Sequence, residues 1–264
     1  MEWREAEGVR WLEARLPGAT AAFSTRLGGI SEPPFDGLNL GVFTDDEPSA
    51  VVENRRRLAA ALGFPPERVV IARQIHGAEL VTHIGPQTPS PYAEPGAPIP
   101  EADGHAGAEP SLALLVFVAD CVPIALSGPG GVAMLHCGWR GLAPSGRIFR
   151  PHTERSATAG LVDRAVTAVG ATDAAIGPSI GPCCYEVGDE VLGRFSELGE
   201  GIASGRMLDL PEVARRLLLA AGVERVEVSG LCTSCESELF FSHRRDAGRT
   251  GRQAGLVWLD GEGR

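Results

Sequence analysis

Lysine is absent from this chain. All 24 residues in the Lys and Arg count are arginines, and 34 acidic residues bring the formal net charge to −10. Without a side-chain amine, Schiff-base and lysine-nucleophile chemistry are excluded. The acidity also argues against a nucleic-acid partner, because phosphate backbones bind to concentrated basic surface. We therefore expect no nucleic-acid partner.

Long apolar segments are missing as well. The longest apolar run, residues 112–126, is interrupted by Asp120 and Pro123 and is too short to span a bilayer. Residues 1–18 are charged and have no apolar core of the kind found in secretory signals. We expect a cytoplasmic protein with no membrane partner, whose six cysteines stay reduced. Metal binding, catalysis and core packing are the roles left open for them.

Hydrophobic periodicity predicts a mixed α+β fold. The 264 residues show no internal repeat, and we predict a single domain over residues 1–264. Apolar spacing predicts helices over residues 49–62, 159–169 and 209–222. Apolar runs predict strands over residues 21–25, 69–72, 80–84, 112–119, 131–136, 174–177, 225–229 and 254–259. These elements do not alternate strictly and no GxGxxG motif is present, so we expect mixed sheets and not a Rossmann fold.

Three predicted strands end in residues suited to metal binding. VVIARQIHG ends in Gln74 and His76, LALLVFVADC ends in Asp120 and Cys121, and GVAMLHCGWRG contains His136. Two imidazoles and one thiolate suit zinc, and three protein ligands leave a fourth position for water or substrate. The ligands are far apart in the sequence, which favours an open catalytic site over a closed structural one. A Cys121–His136 nucleophilic dyad is the competing interpretation.

The other cysteines lack the spacing of metal ligands. Cys137 follows His136 directly, and period-2 alternation predicts that it faces the opposite side of the strand. CTSC at Cys232–Cys235 is a single CxxC pair, and the adjacent Cys183 and Cys184 do not have the spacing of a second zinc-ribbon pair. We therefore expect these four cysteines to serve in packing.

Glycine-flanked arginines are candidates for anion binding. Arg140 lies in a Gly–Trp–Arg–Gly turn, and Ser24 and Arg26 precede Gly28. Such turns aim backbone N–H groups and a guanidinium at a phosphate or carboxylate. A further cluster is expected to be a solvated face, with a phosphate site as the alternative: Arg244, Arg245, Arg249 and Arg252.

Nine motifs together resemble a known family. In chain order they are FSTRLGGIS, FDGLNLG, ENRRRLAAALG, RQIHG, EADG, VADCVPI, HCGWRGLA, IGPSIGPCCYEVG and LCTSCESELFFSHRRDAGRTGRQ. The chain resembles the YfiH-like family, also called the laccase-domain or multicopper polyphenol oxidase family. The resemblance implies a layered α/β/β/α fold with mixed sheets. It also implies one zinc ion held by His76, Cys121 and His136.

The activity implied by the resemblance is that of a purine nucleoside phosphorylase. Its expected substrates are phosphate and adenosine, inosine or S-methyl-5′-thioadenosine, with adenosine deamination as a second activity and a monomer or homodimer as the assembly. We predict three catalytic residues: Gln74 at the base edge, Asp120 to orient a ligand histidine or carry a proton, and Arg140 to hold phosphate. We predict Ser24, Arg26 and Asn39 as substrate-binding residues.

The sequence departs from the family pattern at two places, and three alternative functions stay open. Cys137 stands where relatives usually have alanine, and residues 144–158 resemble an insertion. Six histidines without an H-x-H pair argue against a multicopper cluster, although one copper ion can replace zinc at a nitrogen and sulfur site. The alternative functions are a Cys121–His136 hydrolase or amidase of cell-wall precursor editing, a copper-binding polyphenol oxidase, and a non-catalytic binding protein that zinc stabilises.

Overall fold

Two six-stranded mixed sheets form the centre of the fold in a computed structural model that describes residues 1–143 and 160–261. The first sheet has the spatial order β1 (Glu2–Ala6), β2 (Val9–Leu16), β3 (Ala19–Ser24), β14 (Gln253–Leu259), β7 (Ala113–Val118) and β4 (Val69–Val70). The second has the order β13 (Arg225–Val228), β10 (Asp173–Ile176), β8 (Val122–Gly128), β9 (Gly131–Cys137), β6 (Gly104–Gly107) and β5 (Leu80–His83). Neighbouring strands are antiparallel except β4–β7, β10–β13 and β5–β6. Strands β11 (Ala203–Ser204) and β12 (Met207–Leu208) pair separately.

Helices cover the outer faces of the two sheets. They are α1 (Pro48–Ala61), α2 (Trp139–Leu142), α3 (Leu161–Val169), α4 (Asp189–Arg194) and α5 (Leu210–Ala220), with 3₁₀ turns at Pro66–Arg68 and Ser196–Leu198. Among the described helices, none is both long and apolar enough to cross a membrane.

Three apolar clusters define the layers. Phe23 and Leu114 from the first sheet pack with Met134 from the second, so one cluster lies between the sheets. Leu58 of α1 packs with Trp11 on the outer face of the first sheet. Helices α3 and α5 pack on the outer face of the second sheet in the remaining cluster. The layers are therefore α/β/β/α, and the predicted α+β class with mixed sheets is confirmed.

Local signals place the helices where the sequence predicts them. The Asp209 side chain accepts a hydrogen bond from Glu212 N at 3.0 Å and so caps α5, and α3 ends at Gly170, whose φ is 61°. The predicted insertion at residues 144–158 lies outside the described residues.

The strands that the periodicity does not predict have no clean alternation. Strand β8 is buried along nearly its whole length, and β2 carries charged residues such as Glu13 on a largely buried strand. Strand β6, with the sequence GHAG, is too short to show a period. Gly104 is needed there, because a Cβ at this position would lie 2.8 Å from both Leu80 and Leu161.

Candidate active site

The three predicted metal ligands converge where the chain passes from the first sheet to the second. Cys121 lies in the short connection between β7 and β8, and His136 lies on β9 opposite Pro123 of β8. The ligand atoms of His76, Cys121 and His136 all lie within 4.8 Å of one another. The two imidazole rings meet edge to face with their centroids 4.8 Å apart. On one side, these three side chains line a cavity, which is described below.

A glycine makes room for the ligand set. A Cβ at Gly138 would lie 3.3 Å from both Cys121 Sγ and a ring carbon of His76. Gly138 is the first residue of the Gly–Trp–Arg–Gly turn, and its lack of a side chain lets the turn lie close against Cys121 and His76. Two nitrogen donors and one thiolate in one place fit zinc, and the tetrahedral preference of zinc leaves one position for another ligand.

Asp103 orients His136. Its Oδ1 lies 2.8 Å from His136 Nδ1, which leaves Nε2 free to face the ligand set. The same carboxylate accepts three backbone hydrogen bonds, from Ile75, His76 and Gly77. These bonds hold His76 at a φ of 60°, a left-handed backbone conformation that residues other than glycine rarely adopt. Burial raises the pKa of Asp103, but the hydrogen bonds from His136 and from these backbone groups outweigh it and lower the pKa.

Asp120 makes a different set of contacts from those predicted. Its carboxylate accepts hydrogen bonds from Thr233 Oγ1 and from Arg244 N, both at 2.7 Å. Its backbone carbonyl accepts one from Ile180 N at 2.9 Å. The contact that orients a ligand histidine is therefore made by Asp103 and not by Asp120. Proton transfer by Asp120 stays a prediction.

Burial and two neighbouring imidazoles shift the pKa of the Cys121 thiol in opposite directions. Burial raises its pKa, but the imidazoles of His136 and His76 outweigh burial and bring the pKa down to about 6. For His136, burial lowers the pKa, while the Cys121 thiolate and Asp103 raise it to about 9. Without a metal, the side chains therefore favour a Cys121 thiolate beside a His136 imidazolium. A metal cation that displaces the proton of the imidazolium would bind to a sulfur that is already negatively charged.

Cys137 faces away from the ligand set, as predicted. Its fully buried side chain packs with Leu135 and Val122 on the helix-covered face of the second sheet. Burial, together with the charges of Cys121 and Asp103, raises its pKa well above the usual value. Cys137 is therefore a neutral core thiol.

A cavity of about 450 Å³ opens beside the three ligands. This volume is in the range of small-molecule sites. Besides the ligands, its wall contains arginine and aromatic side chains, namely Arg55, Phe117, Trp139, Arg140, Tyr185, Arg244 and Arg252. The Arg140 guanidinium lies 4.4 Å from the Trp139 ring centroid, and that of Arg244 lies 5.1 Å from the Tyr185 ring centroid. Arg244 is exposed, as expected of a solvated arginine, and Arg252 is half-buried; both line the cavity, which is compatible with the alternative of a phosphate site.

Gln74 lies in the cavity wall, but its amide is already bonded. Nε2 donates to the Phe117 carbonyl and Oε1 accepts from Phe117 N, both at 2.7 Å. These bonds fasten the loop before His76 to β7. The amide is thus engaged with the main chain and not turned toward a base.

Ser24 and Arg26 lie outside the described wall of the cavity and make internal contacts. Ser24 Oγ accepts a hydrogen bond from Ala254 N at 2.9 Å. Arg26 donates to the Asp36 and Ser237 carbonyls. These contacts join the N-terminal motif to the C-terminal segment, and binding of substrate by either residue stays a prediction.

Asn39 is also internal. The side chain is fully buried, and Oδ1 accepts hydrogen bonds from the N–H groups of Gly41 and Arg252. Nδ2 donates to Thr44 and Asp46. Because Gly41, Thr44 and Arg252 line the cavity, Asn39 supports the wall from behind.

Comparison with known proteins identifies the family. Residues 20–260 match the family described as multi-copper polyphenol oxidoreductase laccase. The chain belongs to this family. It is 39% identical to purine nucleoside phosphorylase YlmD of Geobacillus stearothermophilus, over 96% of this chain and 95% of the relative. It is 35% identical to purine nucleoside phosphorylase YfiH of Escherichia coli, over 92% of this chain and 94% of the relative.

The fold agrees with solved structures of the same laccase-like family. The crystal structure of the hypothetical protein YfiH of Bacillus licheniformis superposes with a TM-score of 0.83 at 32% identity, over 98% of this chain and 99% of that one. The crystal structure of YlmD from Geobacillus stearothermophilus gives a TM-score of 0.82 at 36% identity, over 98% of both chains. The resemblance found in the sequence is thus confirmed.

The laccase-like family description raises the question of copper. Within residues 1–143 and 160–261, two groups of side chains lie close enough together that each could hold a metal ion. One is His76, Cys121 and His136, and the other consists of four cysteines. Neither group is the histidine-rich arrangement of a multicopper centre.

Proposed function

We propose that this protein is a zinc-dependent purine nucleoside phosphorylase. Its substrates are adenosine, inosine and S-methyl-5′-thioadenosine, and it also deaminates adenosine. The observation that carries the proposal is an open set of two imidazoles and one thiolate beside a cavity of about 450 Å³ walled by arginines and aromatic rings. Relatives named purine nucleoside phosphorylase, at 35% and 39% identity, support it.

In this proposal His76, Cys121 and His136 hold the zinc ion, and Asp103 keeps His136 in the tautomer that presents Nε2. A zinc ion held by these three side chains would supply a Lewis acid for the purine. The Cys121 thiolate contributes negative charge to the site, and the left-handed turn at His76 brings the second imidazole to it.

The arginines of the cavity wall are assigned to phosphate binding. Phosphorolysis builds positive charge on the sugar and negative charge on the leaving base, so phosphate must be held against the sugar. Arg140 and Arg244 bring guanidinium groups to the cavity wall, and each is held in place by an aromatic ring. Arg252 lies in the same wall. We assign phosphate binding to Arg140, with Arg244 and Arg252 as partners in the same wall.

Substitution of the ligands tests the proposal. We expect His76→Ala, Cys121→Ser and His136→Ala to lose zinc, and to release hypoxanthine from inosine and phosphate roughly 100-fold or more slowly. Cys137→Ala is the matched control, because it removes a thiol beside His136 that faces the core, and it is expected to keep both zinc and turnover. Retained zinc with full phosphorolysis in all three ligand variants would contradict the proposal.

A cysteine hydrolase is the second candidate, favoured by the contact between the Cys121 thiol and two imidazoles. Its substrate class is an amide of cell-wall precursors. A hydrolase of this kind keeps its activity in chelator and loses it to iodoacetamide. The phosphorylase loses turnover in chelator and regains it when zinc is added back, so one pair of assays separates the two.

A further inference from the structure

Four cysteines from two distant segments meet in one place. The Sγ atoms of Cys183, Cys184, Cys232 and Cys235 all lie within 4.8 Å of one another. Cys235 Sγ lies 3.4 Å from Cys183 Sγ and 3.5 Å from Cys184 Sγ. Cys183 and Cys235 are exposed, and the other two are half-buried. Two of the four thiols are therefore exposed and not enclosed by apolar side chains, as thiols that serve only in core packing are.

Backbone pairing builds the cluster. Ser179 pairs in parallel with Cys232, with Thr233 N donating to the Ser179 carbonyl at 3.0 Å. This bridge sets the turn after residue 180 beside the CTSC turn. Gly181 permits the approach, because a Cβ there would lie 3.3 Å from Cys232 Cβ and 3.4 Å from Cys183 Sγ.

The geometry fits a tetrathiolate centre. A Zn–S bond of about 2.3 Å places the sulfurs of a tetrahedral site about 3.8 Å apart. The two measured Sγ–Sγ distances, 3.4 and 3.5 Å, lie close to that value, and both are far longer than a disulfide bond of about 2.05 Å.

A backbone donor also contacts one sulfur of the cluster. Gly181 N donates to Cys232 Sγ at 3.2 Å. N–H donors of this kind stabilise a thiolate, which is the form that binds metal.

We propose that Cys183, Cys184, Cys232 and Cys235 bind one zinc ion as a second, structural metal site. Four protein sulfurs fill the tetrahedral coordination of zinc and leave no position for substrate. The role of this site is therefore to join two loops, unlike that of the open set formed by His76, Cys121 and His136.

The two loops support the cavity wall. Tyr185 follows Cys184 directly and lines the cavity, while Thr233 follows Cys232 and donates to Asp120 beside Cys121. Loss of the second zinc is expected to lower the melting temperature and to raise KM for the nucleoside. The open site keeps its metal, because none of its three ligands belongs to either loop.

Metal counting tests the site directly. The protein is purified under reducing conditions and its zinc content measured by mass spectrometry. We expect two zinc ions per chain in the wild type, one in Cys232→Ser/Cys235→Ser, and one in His76→Ala/Cys121→Ser. Ser234→Ala is the matched control in the same turn and is expected to keep two. Because the count does not involve turnover, it stands or falls independently of the proposed phosphorylase activity.

If the double cysteine variant does not fold, cobalt substitution tests the four-cysteine site instead. In the folded His76→Ala/Cys121→Ser variant, cobalt at four thiolates is expected to give intense thiolate-to-cobalt charge-transfer absorption. One zinc ion per wild-type chain with all four thiols open to alkylation would overturn the proposal. So would a disulfide among these cysteines, mapped in protein extracted with an alkylating agent and without reductant, or the absence of the cobalt bands.

Discussion

At the scale of single residues, Asp103 connects the strand β6 to both histidines of the open site. It bonds to the His136 ring and to the backbone of the turn that presents His76. This carboxylate has no exposed surface, accepts four hydrogen bonds and is not part of the described cavity wall, so we propose that it organises the ligands from behind. It is a positioning residue.

Replacement of Asp103 by asparagine is therefore expected to weaken the open site. An asparagine keeps the size of the side chain but loses the charge that supports His136, and the expected loss of zinc affinity is about 10- to 100-fold. Competition with a chromophoric chelator measures this affinity. Asp173→Asn is the control, since Asp173 is equally buried but pairs with Arg225 at the far edge of the second sheet. Equal zinc affinity in the Asp103 variant and the wild type would show that Asp103 has no part in positioning.

At this scale the sequence predicted which residues come together but not every contact. His76, Cys121 and His136 follow apolar strands, so their convergence was predictable from position. The role of Asp103 was not, because the EADG motif is short and only folding brings it beside β9. The four cysteines illustrate the same limit, since Cys183 and Cys232 meet through one backbone bridge between distant segments.

At the scale of elements, α5 depends on its first turn. Asp209 caps the helix through Glu212 N, and the Glu212 carboxylate in turn bonds to Arg215 and Arg216. These arginines lower the pKa of Glu212 to about 2 in spite of its partial burial. The helix contributes Val213 and Leu218 to the apolar cluster on the second sheet, so a loose first turn weakens that packing.

Removal of the cap is expected to lower the free energy of unfolding. Asp209→Ala should cost about 1 kcal/mol, because the Glu212 N–H loses its acceptor. Urea denaturation at neutral pH measures the difference. Asp209→Ser restores an N-cap oxygen and should recover most of the loss; equal instability of the alanine and serine variants would show that capping is not the cause.

Elements with a clear period were predictable, and fully buried or very short ones were not. Helices α1, α3 and α5 begin and end within two residues of their predicted bounds. Strand β8 has buried residues on both faces, so alternation is lost. Strand β6 holds only four residues, all buried, and its Gly104 lies close to Leu80 and Leu161. Their positions depend on the layers that enclose them.

At the scale of the whole molecule, the buried pair of His83 and His105 makes the free energy of unfolding depend on pH. His83 Nε2 and His105 Nδ1 lie 2.9 Å apart between β5 and β6. Burial, with the neighbouring His83, lowers the pKa of His105 to about 3, although Asp103 raises it. The folded protein therefore keeps His105 neutral, whereas the unfolded chain binds a proton near pH 6.5.

Acidification is therefore expected to destabilise the protein between about pH 6.5 and pH 3. In this window the unfolded state binds more protons, so the free energy of unfolding falls by roughly 1 kcal/mol per pH unit for this group. His105→Gln should reduce this slope between pH 7 and pH 5, measured by urea denaturation, while His243→Gln removes an exposed imidazole as the control. An unchanged slope in His105→Gln would contradict the prediction.

The same denaturation curves test the single domain predicted over residues 1–264. Because the two sheets share one apolar cluster, we expect fluorescence and circular dichroism to report one coincident transition. Two separate transitions would divide the chain into two folding units.

The sequence by itself determined the chemistry available to this protein: no lysine, two strand-end histidines and a strand-end cysteine, and motifs specific enough to identify the family. It also determined the main helices, because their apolar periods are local properties of the chain. Only the tertiary structure decided that Asp103 and not Asp120 holds His136, that Arg244 and Arg252 line the cavity, and that four separated cysteines meet. The physical reason is that hydrogen bonds and metal ligands act over a few ångströms in space, while segments far apart along the chain reach that distance only when the two sheets pack together.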